Sequence, residues 1–130
     1  MLALDSSAVI HYFKGAGRVV ENMQRTAPHE LAIPAVVLYE LEVGVARLEN
    51  PKRRREALNL LARTVRVLAF DEAAARAAAA IRTELERKGH GIGPMDTLIA
   101  GTALANSATL VTHNTREFAR VRGLRVVDWY

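Results

Sequence analysis

The chain has 130 residues, of which half are hydrophobic and a quarter are charged. This length and composition predict one compact globular domain, residues 1–130, and exclude a disordered chain. Since there is no cysteine, disulfide scaffolds and thiolate zinc sites are excluded, while a net charge of +4 is compatible with a polyanionic partner.

Short apolar runs alternate with helical patterns along the chain. The first run, residues 2–4, predicts a strand that leads directly into Asp5. Ser6 and Ser7 supply hydroxyl caps for the helix that follows, which Gly15 ends. Further strands are predicted at 31–33, 65–70, 109–112 and 124–127, and further helices begin near Pro34, Pro51, Asp71, Pro94 and Arg116. This alternation predicts an α/β fold with a central, mostly parallel sheet and helices on both faces.

The chain shows no targeting or membrane segment. Asp5 interrupts the opening apolar residues, and Arg76 breaks the alanine-rich stretch between residues 73 and 80 before it reaches the length of a membrane span. We therefore expect a cytoplasmic protein without membrane association.

Four oxygen-bearing side chains lie where strands end or within the helices that follow. Asp5 and Asn114 follow predicted strands, Asp96 lies in the first turn of a helix, and Glu40 lies inside a helix that is apolar on most sides. A parallel sheet gathers the carboxyl ends of its strands at one edge, so these side chains can converge. Carboxylate and amide oxygens suit Mg²⁺ or Mn²⁺, which commonly serve phosphate esters.

Each of these residues also has a purely structural interpretation. Asp5 can cap a helix, Asn114 can make a turn, and Asp96 is favoured by the helix dipole. Glu40 is harder to explain in this way, because a buried carboxylate is rarely left without a cationic partner. Gly44, one turn later, costs helix stability unless a close backbone contact requires it.

Several other chemistries are excluded by missing motifs. The chain has no GxxxxGK[ST] loop, no GxGxxG after a strand and no GxSxG elbow. None of the four histidines has metal-ligand spacing, and only His113 adjoins the predicted site. Two groups of basic residues are solvated faces or the rim of a polyanion site: residues 52–55, and Arg116, Arg120, Arg122 and Arg125.

Four ordered segments and the end of the chain carry a resemblance to a known family. They are Leu4–Ser7, Pro34–Gly44, Ile92–Gly101, Leu110–Phe118 and Val121–Trp129. These segments resemble the PIN-domain ribonucleases, and the last resembles the VapC toxins within that group.

The resemblance implies a PIN-like three-layer α/β/α sandwich and a Mg²⁺- or Mn²⁺-dependent endoribonuclease. It further implies the toxin of a type II toxin–antitoxin system, whose partners are a VapB-like antitoxin and a structured RNA such as tRNA. A homodimer is expected as well, because the helix from residue 35 to 48 is apolar on more than one face.

The resemblance also implies roles for individual residues. Asp5 and Asp96 match the metal ligands, and Ser6 matches a hydroxyl that contacts the metal or its waters. Ser7 and His113 depart from the family pattern, which commonly has asparagine at both positions. The complete catalytic set implied by the resemblance is Asp5, Glu40, Asp96, Asn114 and Glu117.

Other function classes remain as alternatives. The chain could be a non-catalytic RNA-binding protein on a PIN fold, although an intact acidic set argues against this. A receiver-like phosphoacceptor needs a lysine near the last strand, and none follows Lys88. A DNA-directed nuclease of the same superfamily is disfavoured, because the short chain has no extra helical arch.

Overall fold

A five-stranded, wholly parallel sheet forms the centre of the computed structural model, which describes residues 1–130. The strands lie in the order β3-β2-β1-β4-β5. The chain winds outward from β1 to β3 and then returns to the other side of β1, so a crevice opens between the carboxyl ends of β1 and β4. The strands are β1 Leu2–Leu4, β2 Leu31–Pro34, β3 Arg66–Leu68, β4 Thr109–Val111 and β5 Val126–Val127.

Helices connect the strands and cover the sheet. Right-handed crossovers that run in opposite directions from β1 place helices on both faces, which gives the predicted three-layer α/β/α arrangement. None of the seven α-helices combines the length and hydropathy that crossing a membrane requires. The helices are α1 Ser6–Lys14, α2 Val19–Gln24, α3 Ala35–Ala46, α4 Lys52–Thr64, α5 Glu72–Lys88, α6 Pro94–Ala105 and α7 Thr115–Phe118, with a 3-10 turn at Pro28–Glu30.

The hydrophobic core lies on the central strands and the helices beside them. All four residues of β2 are buried, as expected for a parallel strand that is covered on both faces. The largest fully buried side chains include Leu4, Ile33, Leu58, Ile99, Leu110 and Phe118. The core thereby anchors the ends of β1 and β4, where the polar residues follow.

Three predicted helix boundaries are confirmed, the start and end of α5 and the end of α1. Asp71 caps α5, because its side chain accepts a hydrogen bond of 3.0 Å from the Ala74 N–H. The same helix ends at Gly89 in the left-handed conformation, and Gly15 ends α1 in that conformation too.

The start of α1 differs from the prediction. Asp5, and neither Ser6 nor Ser7, is the N-cap, because the Asp5 carboxylate accepts the Ser6 N–H at 2.8 Å. Pro34 likewise differs: it ends β2 in an extended conformation and caps α3, instead of lying in its first turn. The strands predicted at 65–70 and 124–127 are shorter in the structure, and α2 was not predicted.

Candidate active site

Asp5 lies at the carboxyl end of β1, beside the end of β4. Its side chain is buried, with only 4% of the residue exposed. The carboxylate accepts hydrogen bonds from the Ser7 hydroxyl at 3.1 Å and the Thr112 hydroxyl at 2.7 Å, in addition to the Ser6 N–H. These contacts hold the carboxylate in one orientation at the crevice.

Thr112 connects the two halves of this crevice and was missed as a site residue in the sequence. Its hydroxyl donates to Asp5 and accepts the Asn114 N–H at 3.0 Å, and the residue is 1% exposed. Its position in the sequence could have indicated this role. Leu4 of β1 pairs with Val111 of β4, so Asp5 and Thr112, the next residue after each strand, lie side by side. A hydroxyl residue directly after an apolar strand, next to a strand that ends in an acid, indicates a hydrogen bond that orients the carboxylate.

We expect Thr112→Val to destabilise the protein. The substitution leaves the partly buried Asn114 N–H without its acceptor and removes one donor from the buried Asp5, which should lower the free energy of unfolding by about 1–3 kcal/mol. Urea denaturation measures the change, and Thr112→Ser, which keeps the hydroxyl, is the control. If the valine variant is as stable as the serine variant, the hydroxyl is not required.

The turn after β4 brings two further predicted residues into the site. The Asn114 amide donates to Glu117 Oε2 at 3.2 Å, so the two side chains lie together. The His113 N–H donates to the Ser7 hydroxyl, but the His113 ring pairs with Asp128 at 3.0 Å and packs against Tyr130 at 4.4 Å between ring centroids. His113 therefore contacts the C-terminal segment through its ring.

Four carboxylates act on one another at this site. Burial, followed by the charges of Asp5, Glu117 and Glu40, raises the pKa of Asp96 to about 6. The pKa of Glu40 is also raised, mainly by burial and further by Asp5, while a side-chain contact with Ser6 acts in the opposite direction. The structure thus brings together acids from the end of β1 and from α3, α6 and α7.

These carboxylates have no cationic partner within the protein. None of the four forms an ion pair, and Glu40 Oε1 is buried without a hydrogen-bond partner. No group of three histidine or carboxylate side chains is close enough to enclose an ion by itself. A set of oxygen donors with an unpartnered buried oxygen fits a divalent ion that has few protein ligands and keeps several waters.

The raised pKa of Asp96 predicts a pH dependence of stability for the metal-free protein. The folded protein binds this proton more tightly than the unfolded chain, for which the ordinary value is 3.8. The stabilisation is therefore complete below pH 3.8 and is lost as the pH rises to about 6. Because Asp96 is partly solvated, we expect an effect of about 1 kcal/mol.

Thermal unfolding in EDTA between about pH 4.5 and 7.5 measures this effect, a range that extends beyond the shifted pKa. Asp96→Asn is the control, because the difference between the two proteins cancels the titration of all groups that do not interact with Asp96. The asparagine variant should become the more stable of the two as the pH rises. A difference that stays constant across the range would contradict the prediction.

The sequence is similar to a known domain family and to named relatives over most of its length. The model of the PIN domain family matches residues 2–124. The chain is 36% identical to the tRNA(fMet)-specific endonuclease VapC of Shigella flexneri, with 97% of this chain and 96% of the relative covered. It is 32% identical to the protein of that name from Salmonella typhimurium, over the same shares of the two chains.

Solved structures share the fold over almost the full length. One is VapBC2 from Rickettsia felis bound to a DNA fragment from their promoter, with a TM-score of 0.92, 30% identity and 99% and 98% of the two chains covered. Another is DNA-bound VapBC from Salmonella typhimurium, with a TM-score of 0.92, 32% identity and the same coverage.

Proposed function

The chain belongs to the PIN-domain family, and on this premise we propose that it is a metal-dependent endoribonuclease and the toxin of a type II toxin–antitoxin pair. The observation that carries the proposal is the set of four carboxylates without ion-pair partners at the crevice of the sheet. Such a set is electrostatically costly unless a cation binds there. The VapC names of the relatives support the ribonuclease activity.

Asp5 and Asp96 would hold Mg²⁺ or Mn²⁺, with Ser6 and Asn114 beside its waters. When bound, the cation supplies charge neutralisation and Lewis acidity toward a phosphate oxygen. Thr112 and Ser7 orient Asp5, since both hydroxyls donate to its Oδ2.

Glu40 is the proposed general base. It would accept a proton from the water that attacks the phosphorus, and burial, which raises the pKa of Glu40, makes its carboxylate a stronger base. Attack by water leaves a 5′ phosphate and a 3′ hydroxyl. The Glu117 carboxylate positions the Asn114 amide by the hydrogen bond that joins them.

The proposal extends to partners and location. The names of the relatives support a structured RNA such as tRNA as substrate, and the similar VapBC complexes support a VapB-like antitoxin as partner. A homodimer is supported by α3, which leaves Tyr39 exposed and Val36 and Leu38 only partly buried. We place the protein in the cytoplasm.

Cleavage of total RNA and purified tRNA by the isolated protein, in Mg²⁺, Mn²⁺ or EDTA, tests the activity. We expect discrete fragments that require the metal and carry 5′ phosphates. A 2′,3′ cyclic phosphate would contradict attack by water. Absence of cleavage together with absence of metal binding would refute the enzyme and favour a non-catalytic RNA-binding protein on this fold.

A further inference from the structure

A groove with a volume of about 450 Å³ is continuous with the acidic site. Ser6 and Glu40 line it together with other residues of α1, α3 and α4, so a ligand in the groove lies beside the Glu40 carboxylate. The groove wall is partly apolar, with Ile10 and Leu41 among its residues. It therefore differs in character from the acidic crevice that it joins.

The groove contains a flat aromatic surface with a cation above it. The guanidinium carbon of Arg54 lies 4.9 Å from the centroid of the Phe13 ring, and both residues line the groove. Both are only partly exposed, so their relative arrangement is held by the surrounding structure. A guanidinium plane and an aromatic ring are the two surfaces on which proteins stack unpaired RNA bases.

Two positive charges of the groove are not neutralised within the protein. Neither Arg54 nor Lys14 forms an ion pair, whereas the next residue, Arg55, pairs with Glu42. Near four carboxylates, these cations are available for the phosphates of a polyanion that the acids alone would repel. The charge pattern therefore favours a nucleotide over an apolar peptide segment.

Gly44 keeps the groove open on the side of α3. A Cβ at this position would meet no atom within 4 Å, so the close backbone contact that could have explained a glycine here is absent. Gly44 lies in the last turn of α3, and glycine at a helical position is destabilising relative to other residues. Because Gly44 lines the groove, a side chain at this position would project toward the space that a ligand occupies.

We infer that this groove is a nucleotide-binding subsite for the RNA substrate, a conclusion that rests on the proposed ribonuclease function. An unpaired base stacks on Phe13 and Arg54, Lys14 contacts the backbone, and the adjoining phosphodiester reaches the carboxylates. The RNA that is cut must therefore present an unpaired nucleotide next to the scissile bond, as a loop or bulge does.

Three substitutions test the subsite in the full chain. Phe13→Leu removes the aromatic face, Arg54→Gln removes the planar cation, and Gly44→Leu fills the groove. Arg63→Gln is the matched control, because it makes the same change at an exposed position of α4, outside the groove and outside the basic residues 52–55. We expect each groove variant to raise KM by about 5- to 150-fold, the range for losing one stacked base. The value of kcat should stay within about twofold.

Gly44→Leu separates binding from folding. Leucine favours the helix over glycine, so this variant should unfold at a higher temperature than the wild type while it binds RNA more weakly. A loss of RNA binding in a more stable protein cannot be attributed to misfolding.

Two readouts are independent of cleavage. Fluorescence anisotropy with a single-stranded oligoribonucleotide, in the cleavage-deficient Asp96→Asn background, should show the same increase in Kd for the groove variants. An oligonucleotide that contains 5-iodouridine should crosslink to Phe13 under light, with the crosslinked residue identified by mass spectrometry. If the wild type cleaves no RNA, the proposed function fails, and these two measurements still decide whether the groove binds nucleotides.

The inference is overturned if the wild type cleaves RNA and the three groove variants match Arg63→Gln in KM and Kd. It is also overturned if the crosslink lies outside the groove. Reduced binding of a protein antitoxin by the groove variants, with unchanged RNA binding, would instead assign the groove to the antitoxin.

Discussion

Replacing Asp96 with asparagine is expected to lower the rate of RNA cleavage by about 100-fold or more, because it removes a charge from the centre of the proposed metal site. Asp96 is influenced by Asp5, Glu40 and Glu117, so it lies at the point where the carboxylates converge. Asparagine keeps the size and one oxygen of the side chain, but it cannot provide the negative charge that a divalent cation requires.

The same substitution should not destabilise the metal-free protein at neutral pH. The carboxylate of Asp96 carries the cost of partial burial and of repulsion by its neighbours, and asparagine removes that cost. A site residue whose loss abolishes activity while the fold becomes more stable indicates a position retained for function.

Cleavage assays with Mg²⁺, accompanied by thermal unfolding in EDTA, test both parts of this prediction. Glu72→Gln is the matched control, since Glu72 is also an acid in the first turn of a helix but is exposed and pairs with Arg76. The control should cleave RNA at the wild-type rate. Normal cleavage by Asp96→Asn would remove Asp96 from the proposed mechanism.

Replacing Gly101 with alanine is expected to lower the free energy of unfolding by about 3 kcal/mol, through overpacking between two helices. A Cβ at Gly101 in α6 would lie 2.6 Å from the Cβ of Ala78 and 2.7 Å from its backbone nitrogen in α5. Because the obstruction is partly backbone, the helices must separate to admit the methyl group. The melting temperature should fall by roughly 10 °C.

Gly44→Ala is the control for this prediction, because it makes the same substitution inside a helix where no atom lies within 4 Å. That variant should gain about 0.5–1 kcal/mol from helix propensity alone. Opposite signs for the two substitutions would show that helix packing determines the response. An unchanged melting temperature for Gly101→Ala would contradict the close contact between α5 and α6.

The Gly101→Ala substitution should also affect the candidate active site. Asp96 lies in the same helix, so a displacement of α6 moves a proposed metal ligand relative to Asp5. We therefore expect the alanine variant to lose activity beyond what its folded fraction accounts for, since small displacements of catalytic groups are costly.

The sequence by itself determined the α/β class and the elements that carry the acids. Asp5 follows an apolar run and Asp96 follows Pro94, and these local signals depend only on nearby residues, so they survive in the folded protein. Parallel strands then require the polar residues after β1 and β4 to share one edge, which made their convergence predictable. The assignment of roles within that set stays a prediction.

Only the tertiary structure decided the features that depend on distant parts of the chain. The hydrogen bond from Thr112 to Asp5 joins residues 107 positions apart, and the packing of Arg54 over Phe13 depends on how α4 lies against α1. The same is true of Gly101, whose lack of a side chain is explained by the position of α5. Periodicity and capping signals report local conformation, whereas hydrogen-bond partners, grooves and helix separations are set by the packing of elements that no local pattern describes.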